Sequence, residues 1–298
     1  MHNFIAQKKQ ELNAIIIAHY YQLPEIQELA DFVGDSLQMA RQAAATDAQV
    51  IICCGVKFMA ESAKILSPEK TVILPDIQAG CPMADMITAE QLRGMKAAHP
   101  DAAVVCYVNS SAEVKAESDI CCTSANAVNV VKSIPEAQPV IFVPDRNLGS
   151  YVESRTGRKM ILWEGCCPIH DVLTLKDVEK QKRLHPDALL VVHPECPPAV
   201  CREADVVCST GGMLQYIKNS KAREFIIGTE EGFLHTLRQN CPDKQFYLAR
   251  TGFLCRDMKF ISLEKLAQAI DHMEYRIEVA EEIRKRARIV LDRMIAIS

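Results

Sequence analysis

Ala14-Ile15-Ile16-Ile17-Ala18-His19-Tyr20-Tyr21-Gln22 begins as an unbroken apolar run rich in β-branched residues and ends on polar ones. That is the pattern of a parallel strand buried on both faces, with its carboxyl end opening on a site. The pattern returns at Ala103-Val104-Val105-Cys106-Tyr107-Val108-Asn109 and at Leu189-Leu190-Val191-Val192-His193-Pro194-Glu195. His19, Tyr107 and His193 share one phase, and Tyr21, Asn109 and Glu195 follow two residues later. Asp31, Asp119 and Asp205 hold a third phase, and Ser36, Ser124 and Thr210 a fourth. In every set the first and third members are 174 residues apart, a period of about 87. Self-similarity on this scale marks a repeated supersecondary unit.

Outward from these runs, further strands are expected at Gln49 to Cys53, Thr71 to Leu74, Pro139 to Val143, Lys159 to Leu162, Glu224 to Ile227 and Gln245 to Leu248. Helical stretches such as Ser36 to Ala45, Lys57 to Leu66, Thr88 to Ala98, Lys176 to Leu184 and Gly212 to Ile217 fall between them, which predicts an α/β fold with parallel sheets. Cys81-Pro82-x-x-Asp85 matches Cys167-Pro168-x-x-Asp171, and His99-Pro100-Asp101-Ala102 matches His185-Pro186-Asp187-Ala188 at the same offset of 86. Boundaries are therefore expected near residues 85 and 171, giving units 1–85, 86–171 and 172–298, with the amphipathic stretch Leu263 to Ile297 closing the last unit as helix.

A chain of 298 residues with 49% hydrophobic content can bury a sizeable core. Its net charge of -4 offers nucleic acid no general attraction. The polar start and the lack of any apolar run near 18 residues predict a cytoplasmic protein without a signal peptide or membrane span. Thirteen cysteines, an odd number, point to buried thiols plus a metal or redox site rather than a disulfide framework.

Open parallel sheets hold ligands beyond their strand carboxyl ends, where every phased polar residue is expected. Cys81, Cys167 and Cys255 occupy one phase, 86 and 88 residues apart. Three single thiolates leave one position of a four-coordinate zinc or of a cluster open. On a 4Fe-4S cluster that iron is a Lewis acid. Gly34-Asp35-Ser36, Thr123-Ser124-Ala125-Asn126 and Ser209-Thr210-Gly211-Gly212 lie where strands hand over to helices, so their amides suit phosphate or carboxylate. His19, His193, Tyr21, Tyr107 and Glu195 add donors and acid-base candidates.

Across nearly the whole chain these segments, with Cys81-Pro82-Met83-Ala84, Pro144-Asp145-Arg146-Asn147-Leu148-Gly149 and His193-Pro194-Glu195-Cys196, resemble the quinolinate synthase family. The resemblance implies three αβα-sandwich domains in pseudo-threefold array around a 4Fe-4S cluster held by Cys81, Cys167 and Cys255. It implies condensation of iminoaspartate with dihydroxyacetone phosphate, and a transient contact with the enzyme that produces iminoaspartate. By the same likeness Tyr21 and Glu195 lead proton transfer, with His19, Tyr107 and His193 beside them. His19, Ser36, Tyr107, Asn109, Ser124, His193, Glu195, Ser209 and Thr210 would hold phosphate and carboxylates. Longer relatives carry Cys-x-x-Cys-x-x-Cys around the last ligand, of which Cys255-Arg256-Asp257-Met258 keeps the first cysteine alone. Cys166 competes with Cys167, and alignment of Cys167-Pro168 with Cys81-Pro82 favours Cys167.

Plainer roles suit the remaining candidates. Cys53, Cys54, Cys106, Cys121 and Cys122 read as core thiols, and the spacing of Cys196, Cys201 and Cys208 fits no standard metal motif. His99, His185, His235 and His272 read as structural, His170 as a neighbour of the cluster loop, and Asp31, Asp119 and Asp205 as turn caps or links between units. Two other functions compete: a non-catalytic iron-sulfur sensor and a 4Fe-4S hydro-lyase acting on a hydroxy acid.

Overall fold

A computed structural model describes residues 1–297. The same eight elements occur three times in the same order. The first set is α1 (His2–Glu11), β1 (Ala14–His19), α2 (Pro24–Leu29), β2 (Phe32–Gly34), α3 (Ser36–Ala45), β3 (Val50–Cys54), α4 (Lys57–Leu66) and β4 (Thr71–Ile73). The second is α5 (Ala89–Ala98), β5 (Ala103–Tyr107), α6 (Ala112–Ala116), β6 (Ile120–Cys122), α7 (Ala127–Lys132), β7 (Val140–Val143), α8 (Arg146–Thr156) and β8 (Ile161–Leu162). The third is α9 (Leu175–Leu184), β9 (Leu189–Val192), α10 (Pro198–Glu203), β10 (Val206–Val207), α11 (Thr210–Asn219), β11 (Glu224–Gly228), α12 (Phe233–Asn240) and β12 (Gln245–Leu248). Two helices follow, α13 (Leu263–His272) and α14 (Glu281–Ala296).

Each set makes one four-stranded parallel sheet, ordered β2-β1-β3-β4, β6-β5-β7-β8 and β10-β9-β11-β12. The expected α/β architecture of three parallel-sheet units is thus observed. β2, β6 and β10 go beyond the expected strands, and the phased aspartates explain how such short edges hold. Asp31 Oδ2 accepts the Ile16 amide at 2.9 Å, Asp119 Oδ2 that of Val104 at 2.8 Å and Asp205 Oδ2 that of Leu190 at 2.7 Å. Their own amides donate back to the carbonyls of the same three residues. Each aspartate therefore pins the edge strand to the central strand of its own sheet, a structural role within a unit rather than between units.

The end of the chain departs from expectation. Leu263 to Ile297 is not one helix closing the third unit. It breaks at Met273, whose left-handed backbone (φ 53°) ends α13. Ser262, the α13 cap, follows Cys255 by seven residues, as the caps Thr88 and Thr174 follow Cys81 and Cys167. α13 is thus in register with α5 and α9, the opening helices of the next units, and it packs on α1, tied by a Lys8–Asp271 ion pair at 2.9 Å. α14 lies against α4, α6 and β6 and buries Ala287, Val290, Leu291 and Met294. Arg288 caps the α4 carbonyl of Leu66 at 2.6 Å, and Asn126 Nδ2 reaches the Met294 and Ile297 carbonyls.

The first two units and both C-terminal helices share one apolar core. The third sheet has two smaller cores, one holding Phe225, Phe233 and Leu237 and the other Leu190, Ile226 and Phe253.

Candidate active site

Residues from the carboxyl ends of all three sheets line one cavity with about 660 Å³ of free space including its mouth. His19, Tyr21, Ser36, Cys81, Tyr107, Asn109, Ser124, Cys167, His193, Glu195, Thr210 and Cys255 all border it. Of the expected site residues Ser209 alone is turned elsewhere: its hydroxyl caps α11 by accepting the Gly212 amide at 3.2 Å and donates to Asp35 at 3.4 Å.

The three cysteines sit in loops built alike, each just past the last strand of its sheet. Burial pushes their thiols up, Cys255 to about 11. Against that pull, the amide three residues further on, from Ala84, His170 and Met258 respectively, stabilises each thiolate. Cys81 also feels the charge of Cys255, and Cys167 that of Cys81, so the three sulfurs share one electrostatic neighbourhood. Cys166 lies outside the cavity lining; its amide donates to Met86 Sδ at 3.3 Å and its thiol faces Asp171. Three soft sulfur donors with amide support suit a thiophilic metal group. The ligand atoms of Cys167, His170 and Glu195 also lie within 4.8 Å of one another, so the donor set is compatible with a metal cluster.

Two histidines use the same local device. His19 Nδ1 accepts the Tyr21 amide at 3.2 Å and His193 Nδ1 the Glu195 amide at 3.4 Å, which leaves the proton on Nε2 of each ring. Burial holds both rings down to about 3, so they are neutral donors at physiological pH. His193 Nε2 lies 3.1 Å from Ser124 Oγ.

Glu195 is the centre of a hydrogen-bond chain. Its Oε1 accepts from Tyr107 OH at 2.6 Å and its Oε2 lies 2.6 Å from His170 Nδ1. His170 Nε2 meets Thr229 Oγ1 at 2.9 Å, and Thr229 Oγ1 meets Tyr21 OH at 2.5 Å. With Nδ1 donating to the carboxylate, Nε2 accepts from Thr229, which accepts from Tyr21. The chain thus runs without a break from Tyr21 to Glu195. Burial works to raise Glu195, but the His193 and His170 rings and the hydrogen bonds from His170 and Tyr107 outweigh it; with His193 neutral above about 3, the two hydrogen bonds are what favour the ionised carboxylate at physiological pH. Burial and the nearby Glu195 raise both tyrosines well above the ordinary range.

At the helix starts, Asp35 caps α3 through a capping box with Gln38, and the Gly211 amide and Ser209 hydroxyl also face its carboxyl. Asn109 Oδ1 is buried without a hydrogen-bond partner among the described residues.

Sequence reading assigned no role to Thr229, Glu230, Lys259, Asp145 or Asn147, the last two quoted only as part of a segment. Thr229 and Lys259 have no phased counterparts, whereas Glu230 and Asp145 each fall two residues past a third strand, a signal available in the string. His170 proves central. Cys53, Cys54, Cys106, Cys121 and Cys122 are fully buried, and the Cys201 thiol donates to the Cys196 carbonyl at 3.4 Å.

The family profile described as "Quinolinate synthetase A protein" matches residues 3–296. A protein of Desulforudis audaxviator named quinolinate synthase is 55% identical over 293 residues, covering 98% of this chain and 97% of its own. Relatives of the same name from Methanosarcina barkeri (54% identical; 98% of this chain, 96% of theirs) and Geobacter sp. strain M21 (56%; 97% and 94%) agree. With its three phased cysteines, strand-end histidines and cavity glutamate, the chain belongs to the quinolinate synthase family.

Proposed function

We propose that the protein is a quinolinate synthase of NAD biosynthesis, an enzyme that condenses iminoaspartate with dihydroxyacetone phosphate to quinolinate and releases phosphate and water. The observation that carries this reading is the unbroken chain Tyr21–Thr229–His170–Glu195–Tyr107 along one wall of the cavity that the three cysteines also line. Cys81, Cys167 and Cys255 would hold a 4Fe-4S cluster, which when bound would supply Lewis-acid chemistry for the loss of water. Division of the chain near residues 85 and 171 gives each unit one of these cysteines.

The protein's own groups then bind, orient and move protons. Neutral His19 and His193 donate from Nε2 to substrate oxygens, and Ser36, Ser124 and Thr210 offer hydroxyls at the helix starts. Asn109 Oδ1, buried and unpaired, awaits a donor on the substrate. Tyr21, kept protonated by burial and by the nearby Glu195 charge, is held in place by its bond to Thr229, and the chain through Thr229 and His170 links its hydroxyl to the Glu195 carboxylate. Tyr107 fixes the other carboxylate oxygen. No helix among the described residues is long and apolar enough to cross a membrane, and we place the enzyme in the cytoplasm with small anionic substrates.

Anaerobic purification, iron and sulfide analysis and turnover with both precursors test the reading. Quinolinate and phosphate should appear together; a cluster without turnover means a sensor, and water loss without phosphate release means a hydro-lyase. Cys81→Ala, Cys167→Ala and Cys255→Ala should each lose the cluster while Cys166→Ala keeps it.

A further inference from the structure

Asp145 and Glu230 stand at one place in two of the three units. Each lies two residues past the third strand of its sheet, after Val143 of β7 and after Gly228 of β11. In the first unit the same place, two past Cys54, holds Val56. Both carboxyls are fully buried. Glu230 divides its oxygens: Oε2 accepts the Gly232 amide at 2.7 Å ahead of α12, and Oε1 accepts the amide of Cys255 at 3.2 Å. Lys259 Nζ, 2.9 Å from Oε1, neutralises the buried charge and also donates to the Tyr21 carbonyl. Asp145 repeats half of this. Its Oδ1 caps α8 by accepting the Asn147 and Leu148 amides at 2.8 and 2.9 Å. The Cys167 amide acts on the same carboxyl, yet Oδ2 has no hydrogen-bond partner among the described residues. A carboxylate oxygen buried without a partner is costly, so something must complete it.

We propose that Asp145 and Glu230 are a repeated pair of positioning carboxylates, each holding a helix start with one oxygen and the backbone amide of a cluster cysteine, Cys167 or Cys255, with the other. Asp145 Oδ2 takes the Cys167 amide when that sulfur is ligated. The inference rests on the ligand set of the proposed function. It also distinguishes the ligands: at the equivalent place in the first unit stands Val56, which has no carboxyl to offer Cys81.

Asp145→Asn and Glu230→Gln test it. Each retains a carbonyl oxygen for the helix start, since asparagine caps as well as aspartate does, but turns an NH2 toward the cysteine amide. In the anaerobically purified holoenzyme, iron release to EDTA should speed up roughly ten-fold in each variant, the factor expected for losing one hydrogen bond to a charged group. In Glu230→Gln the cluster midpoint potential, followed by electron paramagnetic resonance, should move positive as the carboxylate charge paired with Lys259 is removed. A lower melting temperature with wild-type iron release and potential would assign both carboxyls to helix capping alone and overturn the proposal. The two sites are independent, so one folded variant suffices. Cys167→Ala and Cys255→Ala run alongside: if they too keep their iron, it is the ligand assignment that fails.

Discussion

The first two units and the third are built from the same eight elements, yet they bury their apolar surface differently. Units one and two fuse into a single interior, sealed by α14 across α4, α6 and β6. The third sheet keeps two cores of its own, and its seam with the first unit is largely polar: beside Tyr20 against Phe233, with ring centroids 5.4 Å apart, it is held by Gln27, which donates to the Gly232 carbonyl at 3.0 Å and accepts from Thr236 at 2.7 Å, by Tyr21 with Thr229, by Ser209 with Asp35 and by Lys259 with the Tyr21 carbonyl. Toward the second unit Tyr151 OH reaches the Val207 carbonyl and Asn147 Nδ2 the Glu195 carbonyl. Apolar interiors unfold cooperatively, whereas polar seams open at less cost. One topology thus yields a fixed pair and a separable partner, and the cavity lies between them.

The strongest way to break this contrast is Phe225→Ala. Truncating this fully buried ring should cost about 3–5 kcal/mol. Hydrogen exchange should then rise in β9 to β12 while β1 and β5 stay protected; equal loss in all three sheets would refute separate cores. Leu291→Ala is the converse, costing about 2–5 kcal/mol, with exchange rising in β3, β5 and β6 and not in β11. Acid should sharpen the picture at the cavity. The folded protein keeps His19 and His193 neutral down to about 3, whereas in the unfolded chain they titrate at 6.5. Stability is therefore full above 6.5 and is lost as pH falls toward 3, about 2–3 kcal/mol per imidazole near pH 4.5. His193→Gln should flatten that limb in urea titrations at stepped pH. The smallest effect is expected from Asp205→Ala, about 1–2 kcal/mol with fraying of β10, and Asp119→Ala should do the same to β6.

The period of the chain was legible because its bearers are paired with obligatory geometry: strand ends at His19, Tyr107 and His193, and the three cysteines seven residues before a helix cap. β2, β6 and β10 were not, since two or three residues carry no periodicity and their stability comes from an aspartate bond invisible in the string. The cavity residues were largely foreseen by phase. Thr229, which completes the Tyr21 chain, occurs in one unit alone and so left no trace. α14 misled because its apolar stripe announces a helix without saying which face of which unit it covers.

The placement of α14 also bears on how the polypeptide is made. Residues 281–296 leave the ribosome after all three sheets, yet they complete the interior of the first two. The third sheet, with cores of its own, can finish while those earlier segments still wait with exposed apolar surface. Vectorial synthesis thus inverts the order in which the segments mature, and chaperone demand should peak on the portion translated first.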